Sequence, residues 1–377
     1  MHRLRQALVV ALFTCLTILA SSNYALAFDT TPAIKECSGA FVMDSQGNTL
    51  YDFNGYEEMA PASITKIMTA MVALDSGIDL DEPIAFIETG FQEDAQLAGY
   101  ADGDVTTMRE LLMVTLVYSG NDAALNVAYA VAGNEADFAD LMNAKAAELG
   151  MEHTHFTNPH GLEQDGHYSC AADLCVMGRY ALENYPFIRD AVRTRYVTAH
   201  PKGQEITLES TDDLMDSYDG LLGIKTGNTE SGASFLGAAR RNHVTVYSCA
   251  LCCDTKDGRF SDTRAMLDWG FSLYEARALA KKDVVMRTSP WSDGFWLRCP
   301  VGANRDVTGS VFCEGKVTYT TSKLRPSILV SPNDTCGTTV WNQEGRHVES
   351  VAYTAKQPVR ARSWNALVLP AVSDKNV

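Results

Sequence analysis

Ser63 and Lys66 stand three residues apart in Ser63-Ile64-Thr65-Lys66, directly after Pro61-Ala62. On a helix that spacing stacks both side chains on one face, so the lysine amine reaches the serine hydroxyl. The start of a helix also aims backbone N–H groups and partial positive charge at an anion forming beside Ser63. Together these make an activated nucleophile and half of an oxyanion site. Alone, the pattern arises by chance about once in a chain of this size at average composition, and a plain helix cap carries the same letters. Ser119-Gly120-Asn121 follows in a break between two helical patterns, where glycine allows a tight turn that presents a hydroxyl and an amide together. Lys225-Thr226-Gly227 comes third, after the strand-like Leu221-Leu222-Gly223-Ile224. It offers a fixed charge, a hydroxyl and a position without a side chain, which lets a substrate approach a strand edge.

These groups need rigid elements beneath them. Ile64, Ile67, Met68, Met71 and Val72 recur at helical spacing, so the spacing predicts a helix from Ser63 towards Asp75, closed by Gly77. Residues 39–43 and 49–51 flank a turn at 44–48 and read as a hairpin. Residues 107–117 and 138–149 read as amphipathic helices, and Cys170 and Cys175 share another. Residues 221–225, 233–237 and 244–249 read as strands, and 262–274 as a closing helix. Strands at both ends with helices between predict an α+β domain whose termini meet in one sheet. From 282 to 377 short β-type runs at 311–313, 316–319 and 327–330, divided by Gly, Pro, Asn and Asp, predict a small all-β module. The tail at 364–370 is too short, and too soon stopped by proline, to anchor in a membrane.

The chain has 377 residues, 46% hydrophobic and 21% charged, enough apolar material for a sizeable core and unlike a disordered chain. Its 31 basic against 47 acidic residues give a net charge of −16, which excludes general affinity for nucleic acid or anionic lipid. An anionic substrate would have to meet local positive charge. His2, Arg3 and Arg5, an apolar run over 7–20 and Ala25-Leu26-Ala27 predict an export signal over 1–27, cut before Phe28, leaving no clear membrane anchor. Of 10 cysteines Cys15 would leave with it, so an odd number remains in a compartment that permits disulfides. Cys299, Cys313 and Cys336 are the better candidates for pairing. Cys249, Cys252 and Cys253 read as thiols beside the sheet. His153, His155, His160 and His167 lie close in sequence, but no paired CxxC spacing accompanies them, and neither metal nor cofactor is expected.

Order and spacing of the three motifs give the chain a family likeness. It resembles the serine D-alanyl-D-alanine carboxypeptidases, the low-molecular-mass penicillin-binding proteins, which share this signature with class A β-lactamases. The likeness runs on through residues 61–70, Asn158-Pro159-His160-Gly161-Leu162, Gly166-His167-Tyr168-Ser169, Asp257-Gly258-Arg259 and Trp269-Gly270-Phe271. It covers roughly 37–279 and is weak in the C-terminal module. It implies a β-lactamase/transpeptidase-like α+β fold over 28–281, an antiparallel sheet flanked by helices. It also implies an exported enzyme that trims the D-Ala-D-Ala end of peptidoglycan stem peptides and is blocked covalently by β-lactam antibiotics.

On that likeness Ser63 is the nucleophile, Lys66 its base and Ser119 the proton relay to the leaving amine. Asn121 holds the substrate amide, and the N–H groups of Ser63 and Asn228 form the oxyanion hole. Lys225, Thr226 and Arg259 bind the terminal carboxylate, with Gly227 giving it room. The many cysteines depart from the family pattern, and so does Ser231, where the family more often has alanine. Two other functions fit parts of the chain: a β-lactamase, for which no well-placed glutamate is apparent in the loop, and a non-catalytic wall-binding protein.

Overall fold

Strand β1 (Cys37–Asp44) pairs antiparallel with β2 (Thr49–Phe53) around a turn that its last residue holds. Asp44 Oδ1 accepts the N–H groups of Gln46 and Asn48 at 2.9 and 3.0 Å, the local bonding that makes aspartate a turn residue. The computed structural model describes residues 30–360, apart from 88–89, 92–94, 283, 286, 293–294, 314, 323–328, 344 and 357–358. The expected export signal and the tail at 364–370 lie outside the described residues.

After a 3₁₀ turn at Ala62–Ile64, α1 (Thr65–Asp75) runs through the middle of the core. Thr65 to Ala73 are all buried, as a helix apolar on every side must be. Ile67, Met68 and Met71 are fully shielded, each contributing about 1.5–3 kcal/mol by leaving water. Two short ladders follow along the chain, β3 (Pro83–Ala85) with β4 (Val105–Thr107) and β5 (Tyr196–Ala199) with β6 (Ile206–Glu209). Between them lie α2 (Met108–Met113), continued by a π turn at Val114–Tyr118, and α3 (Asn121–Ala132). Then come α4 (Glu135–Glu148), α5 (Ala171–Asn184) and α6 (Pro186–Ala191). The helix expected at 138–149 starts earlier because Asn134 caps it, accepting the Asp137 N–H at 2.9 Å.

Strands β7 (Leu221–Thr229), β8 (Gly232–Arg241) and β9 (Val244–Cys253) complete a sheet of order β2-β1-β9-β8-β7. All three run further than their apolar letters suggested, β7 through the whole third motif. Because β1 pairs with β9, both sequence ends of the domain meet in one sheet, as expected. One face carries Phe41, Cys249 and Leu251 into the helical core, where the Cys175 thiol of α5 reaches the Phe41 carbonyl at 3.8 Å. The other face meets α7 (Lys256–Ser272), with Phe260 edge-on to Phe235 at 5.4 Å between ring centres.

Two compact units divide the chain. The first holds the described residues up to Arg241 together with Thr245–Gly270; the second holds Asn242–Val244 and the described residues from Phe271 on. The second unit is β-rich, as expected. Following β10 (Tyr274–Ala280), it contains β11 (Arg287–Ser292), β12 (Phe295–Ala303), β13 (Val307–Phe312), β14 (Val317–Thr321) and β15 (Leu329–Val330). It ends with β16 (Thr335–Gln343), β17 (Arg346–Ala355) and β18 (Val359–Arg360). Five strands form a sheet of order β11-β12-β17-β16-β14, over a core of Leu279, Val307, Val311, Val317, Trp341 and Val351.

Candidate active site

Ser63 sits in the 3₁₀ turn before α1, behind an Ala62 held at φ 52°, a left-handed conformation unfavourable for a residue with a Cβ. The crowding around it accounts for that strain. A Cβ added to Gly161 would lie 1.9 Å from the Ala62 carbonyl oxygen. One added to Gly227 on β7 would lie 2.7 Å from Ala62 Cβ and 3.4 Å from Ser63 N. Two glycines from distant segments thus close on the nucleophile turn, and no larger residue fits at either place.

Lys66, one turn along α1, is fully buried. Its Nζ lies 2.8 Å from Ser63 Oγ, 2.7 Å from Asn121 Oδ1 and 2.6 Å from the His160 carbonyl oxygen. No carboxylate is among these three partners. Burial first, and the Lys225 charge second, push the Lys66 pKa well below the usual lysine range, against a smaller opposing effect of Asp122. Ser119 is buried between the π turn and α3, also left-handed at φ 72°. The neighbouring Asp122 fixes this neck. Its carboxylate accepts the N–H groups of Ala98, Gly99 and Ala123 at 2.9–3.2 Å, and the Asn121 N–H donates to the Gln96 carbonyl at 2.8 Å.

Across from this cluster β7 carries Lys225, Thr226 and Gly227, all buried, and Asn228, exposed. Arg259 of α7 is buried and donates from Nη1 to the Gly227 carbonyl at 2.8 Å. Burial, followed by the Arg259 charge, brings Lys225 down to about 7, with Asp212 pulling the other way. Three motifs that begin more than 160 positions apart at their extremes therefore share one cleft. Its cations are buried in a chain whose net charge is −16.

Sequence reasoning assigned no role to the groups behind this cleft. His167 Nδ1 accepts the Thr157 N–H at 3.0 Å, which leaves Nε2–H to donate to Thr65 Oγ1 at 3.0 Å. Burial brings His167 down to about 3, so it is a neutral strut. His160 holds Glu135 at 3.4 Å while its carbonyl serves Lys66, and His155 contacts the Gly166 carbonyl at 2.7 Å. Spacing alone flagged these histidines; only the fold assigns them this work. Glu163, in the same loop, accepts the Ser231 N–H at 2.9 Å and so binds the loop to the end of the β7–β8 hairpin.

A profile of the D-alanyl-D-alanine carboxypeptidase family matches residues 28–255. The chain belongs to that family. It is 31% identical over 260 residues to the D-alanyl-D-alanine carboxypeptidase DacF of Bacillus subtilis, a match covering 67% of each chain. Penicillin-binding protein D2 from Listeria monocytogenes, solved in its cefotaxime-bound form, is 30% identical. It aligns over 64% of this chain and 100% of its own with a TM-score of 0.58. The PBP3 structure from Streptococcus pneumoniae, at 22% identity, matches 88% of this chain and 100% of its own with a TM-score of 0.70, which establishes the fold beyond the catalytic part.

The protein is therefore a serine-type D-Ala-D-Ala carboxypeptidase of the penicillin-binding class, and neither the β-lactamase nor the wall-binding reading is favoured. Cys37 faces Cys253 across the β1–β9 pair, and their sulfurs and an Asp262 oxygen lie within 4.8 Å of one another. Pairing between Cys313 and Cys336, one of the expected options, is not present. The Cys313 thiol donates to the Ser272 carbonyl at 3.7 Å and Cys336 to Asp334 at 3.4 Å. The Cys299 side chain lies outside the described residues.

Proposed function

We propose that this carboxypeptidase removes the terminal D-alanine from peptidoglycan stem pentapeptides through an acyl-enzyme on Ser63, with Lys66 as the base. The buried contact set of Lys66 carries this reading. A neutral amine has two N–H donors and one lone pair. Two of its partners, Asn121 Oδ1 and the His160 carbonyl, can only accept, and the third, Ser63 Oγ–H, can donate. The same three contacts would also satisfy an ammonium that donates to Ser63 Oγ. Burial, which pushes the Lys66 pKa well down, is what favours the uncharged amine with its lone pair on the nucleophile's proton, the state a general base requires.

The proton taken by Lys66 passes through Ser119 to the leaving amine, while Asn121 positions the scissile amide. Backbone N–H groups of Ser63 and Asn228 stabilise the oxyanion. Lys225, Thr226 and Arg259 hold the terminal carboxylate, and Gly227 lets the backbone of β7 lie against the substrate. Water then hydrolyses the ester. β-Lactams, one of which is bound in the Listeria relative, acylate the same serine.

The catalytic part runs to Gly270, and the β-rich part begins at Phe271 rather than at the expected 282, because β10 pairs with β13. The chain is exported by the signal at 1–27 and acts outside the cytoplasm; no described helix is long and apolar enough to cross a membrane. The test is D-alanine release from an acyl-D-Ala-D-Ala peptide by the wild type and by Ser63→Ala. Release that survives Ser63→Ala refutes the proposal.

A further inference from the structure

Asp212 lies in the turn-rich segment between β6 and β7 and is only 5% exposed. Its Oδ1 accepts the Leu214 N–H at 2.9 Å, whereas Oδ2 is buried without a hydrogen-bond partner. Arg195 donates to its carbonyl at 3.1 Å. The preceding hydroxyl, that of Thr211, is hydrogen-bonded to the hydroxyl of Thr226, which fastens this segment to β7 beside Lys225. Lys225 is equally confined. Among the described residues its ammonium has one hydrogen bond, a long one of 3.3 Å to the Thr226 carbonyl. No ion pair within 4.0 Å joins the two among the described residues, but a buried carboxylate oxygen and a buried ammonium, each short of partners, act on one another through the poorly screening interior.

We propose that Asp212 is a positioning residue of the carboxypeptidase, the resident counter-ion that keeps Lys225 charged while the cleft is empty. It hands that charge over when the substrate carboxylate arrives. This rests on the reading of Lys225 as a carboxylate-binding group.

The charged groups facing the pair come from each packed segment: Asp213 beside Asp212, Arg195 before β5, Arg259 on α7 and Lys66 on α1. Arg259 opposes a charge on Lys225, and Asp212 supports it. Burial lifts Asp212 to about 6 and holds Lys225 to about 7, so near neutrality Asp212 is ionised where Lys225 still needs help. Without the Asp212 charge, Lys225 would lose its proton at lower pH, and substrate binding would have to include proton uptake. The penalty then grows with pH, up to about tenfold per pH unit.

The experiment measures kcat and KM for D-alanine release by the full chain between pH 5.5 and 8.5, for wild type, Asp212→Asn, Asp212→Glu and Lys225→Ala. In Asp212→Asn, KM should match wild type within about twofold at pH 5.5 and exceed it about tenfold by pH 8. Saturating kcat should stay close to wild type throughout. Asp212→Glu should restore the wild-type pH dependence. Should Asp212→Asn fail to fold, Asp212→Ser is held to the same criteria. A pH-independent rise in KM, a fall in KM from loss of a competing anion, or a drop confined to kcat would overturn the counter-ion proposal. Unchanged KM in Lys225→Ala would instead overturn the carboxylate-binding reading beneath it.

Discussion

At the scale of single residues, the proposed chemistry turns on Lys66 being an amine rather than an ammonium. Substituting arginine keeps the positive charge and stays protonated at every accessible pH. Lys66→Arg should therefore lower kcat/KM by about 10²–10⁴-fold, the usual contribution of a general base, in a steady-state assay with the fold checked by circular dichroism. The pH profile has a defined sign. Because the folded pKa of Lys66 lies well below that of free lysine, the base form is present above that lowered value. Activity should climb as pH rises through it and fall away on the acid side. An acid limb that persists unchanged in Lys66→Arg would assign the titration to another group. Ser63, Lys66, Asn121, Lys225, Thr226 and Gly227 were singled out before any coordinates, since motif spacing is local, and Arg259 came only with the family resemblance. Asp122 and Asp212 were not, and His167 stood out only within a run of histidines, with no role assigned. Each owes its effect to groups on other segments, and an isolated acid or histidine in the sequence has no spacing rule that pairs it with them.

At the scale of elements, the cleft is closed by backbones rather than by side chains. Gly161 is left-handed at φ 84° with the Ala62 carbonyl where a Cβ would be. Gly161→Ala should cost more than about 1 kcal/mol of stability and cut acylation more steeply than melting temperature suggests, because it shifts the nucleophile turn itself. Comparing penicillin acylation rates with thermal melts checks this.

The loop that carries Gly161 is also an acid-sensitive strut. His167 stays neutral in the fold down to about 3, while a free imidazole protonates near 6.5. Its contribution is therefore fully present above pH 6.5 and is lost as pH falls from 6.5 towards 3, since only the unfolded chain takes up the proton. The slope is up to about 1.4 kcal/mol per pH unit. His167→Gln should flatten the decline of urea midpoints between pH 7 and 4.5; an unchanged slope would remove His167 from the account.

Elements with strong apolar periodicity, such as α1, were recognised from sequence. Their ends moved outward wherever a cap or a polar stretch continued the geometry, as Asn134 does for α4 and as the third motif does for β7. The π turn at Val114–Tyr118 left no such trace, because one widened turn does not alter the pattern of apolar letters.

At the scale of the whole molecule, the charge distribution separates general from local recognition. The chain is strongly acidic, yet the buried Lys225 and Arg259 come together beside the nucleophile turn, where on the proposed reading they meet a small anion. The β-rich part has its own core, centred on Trp341 and Val351, and contributes none of the residues assigned to the reaction. A chain ending at Ser272, where α7 stops and before β10 begins, should therefore retain kcat/KM on a small D-Ala-D-Ala peptide within about threefold, as expected of a separate domain. A large loss on that peptide would give the β-rich part a catalytic role. The α+β pattern and the β-rich C-terminal part were readable from the alternation of helical and strand-like runs. The close apposition of Cys37 and Cys253 was not, since it follows from the register of strands at opposite ends of the domain.

Tandem mass spectrometry of the purified protein after brief exposure to a penicillin tests the central claim most directly. One covalent adduct should form and map to Ser63, and it should be absent from Ser63→Ala. An adduct on any other residue, or D-alanine release by a protein that never becomes acylated, would contradict the mechanism.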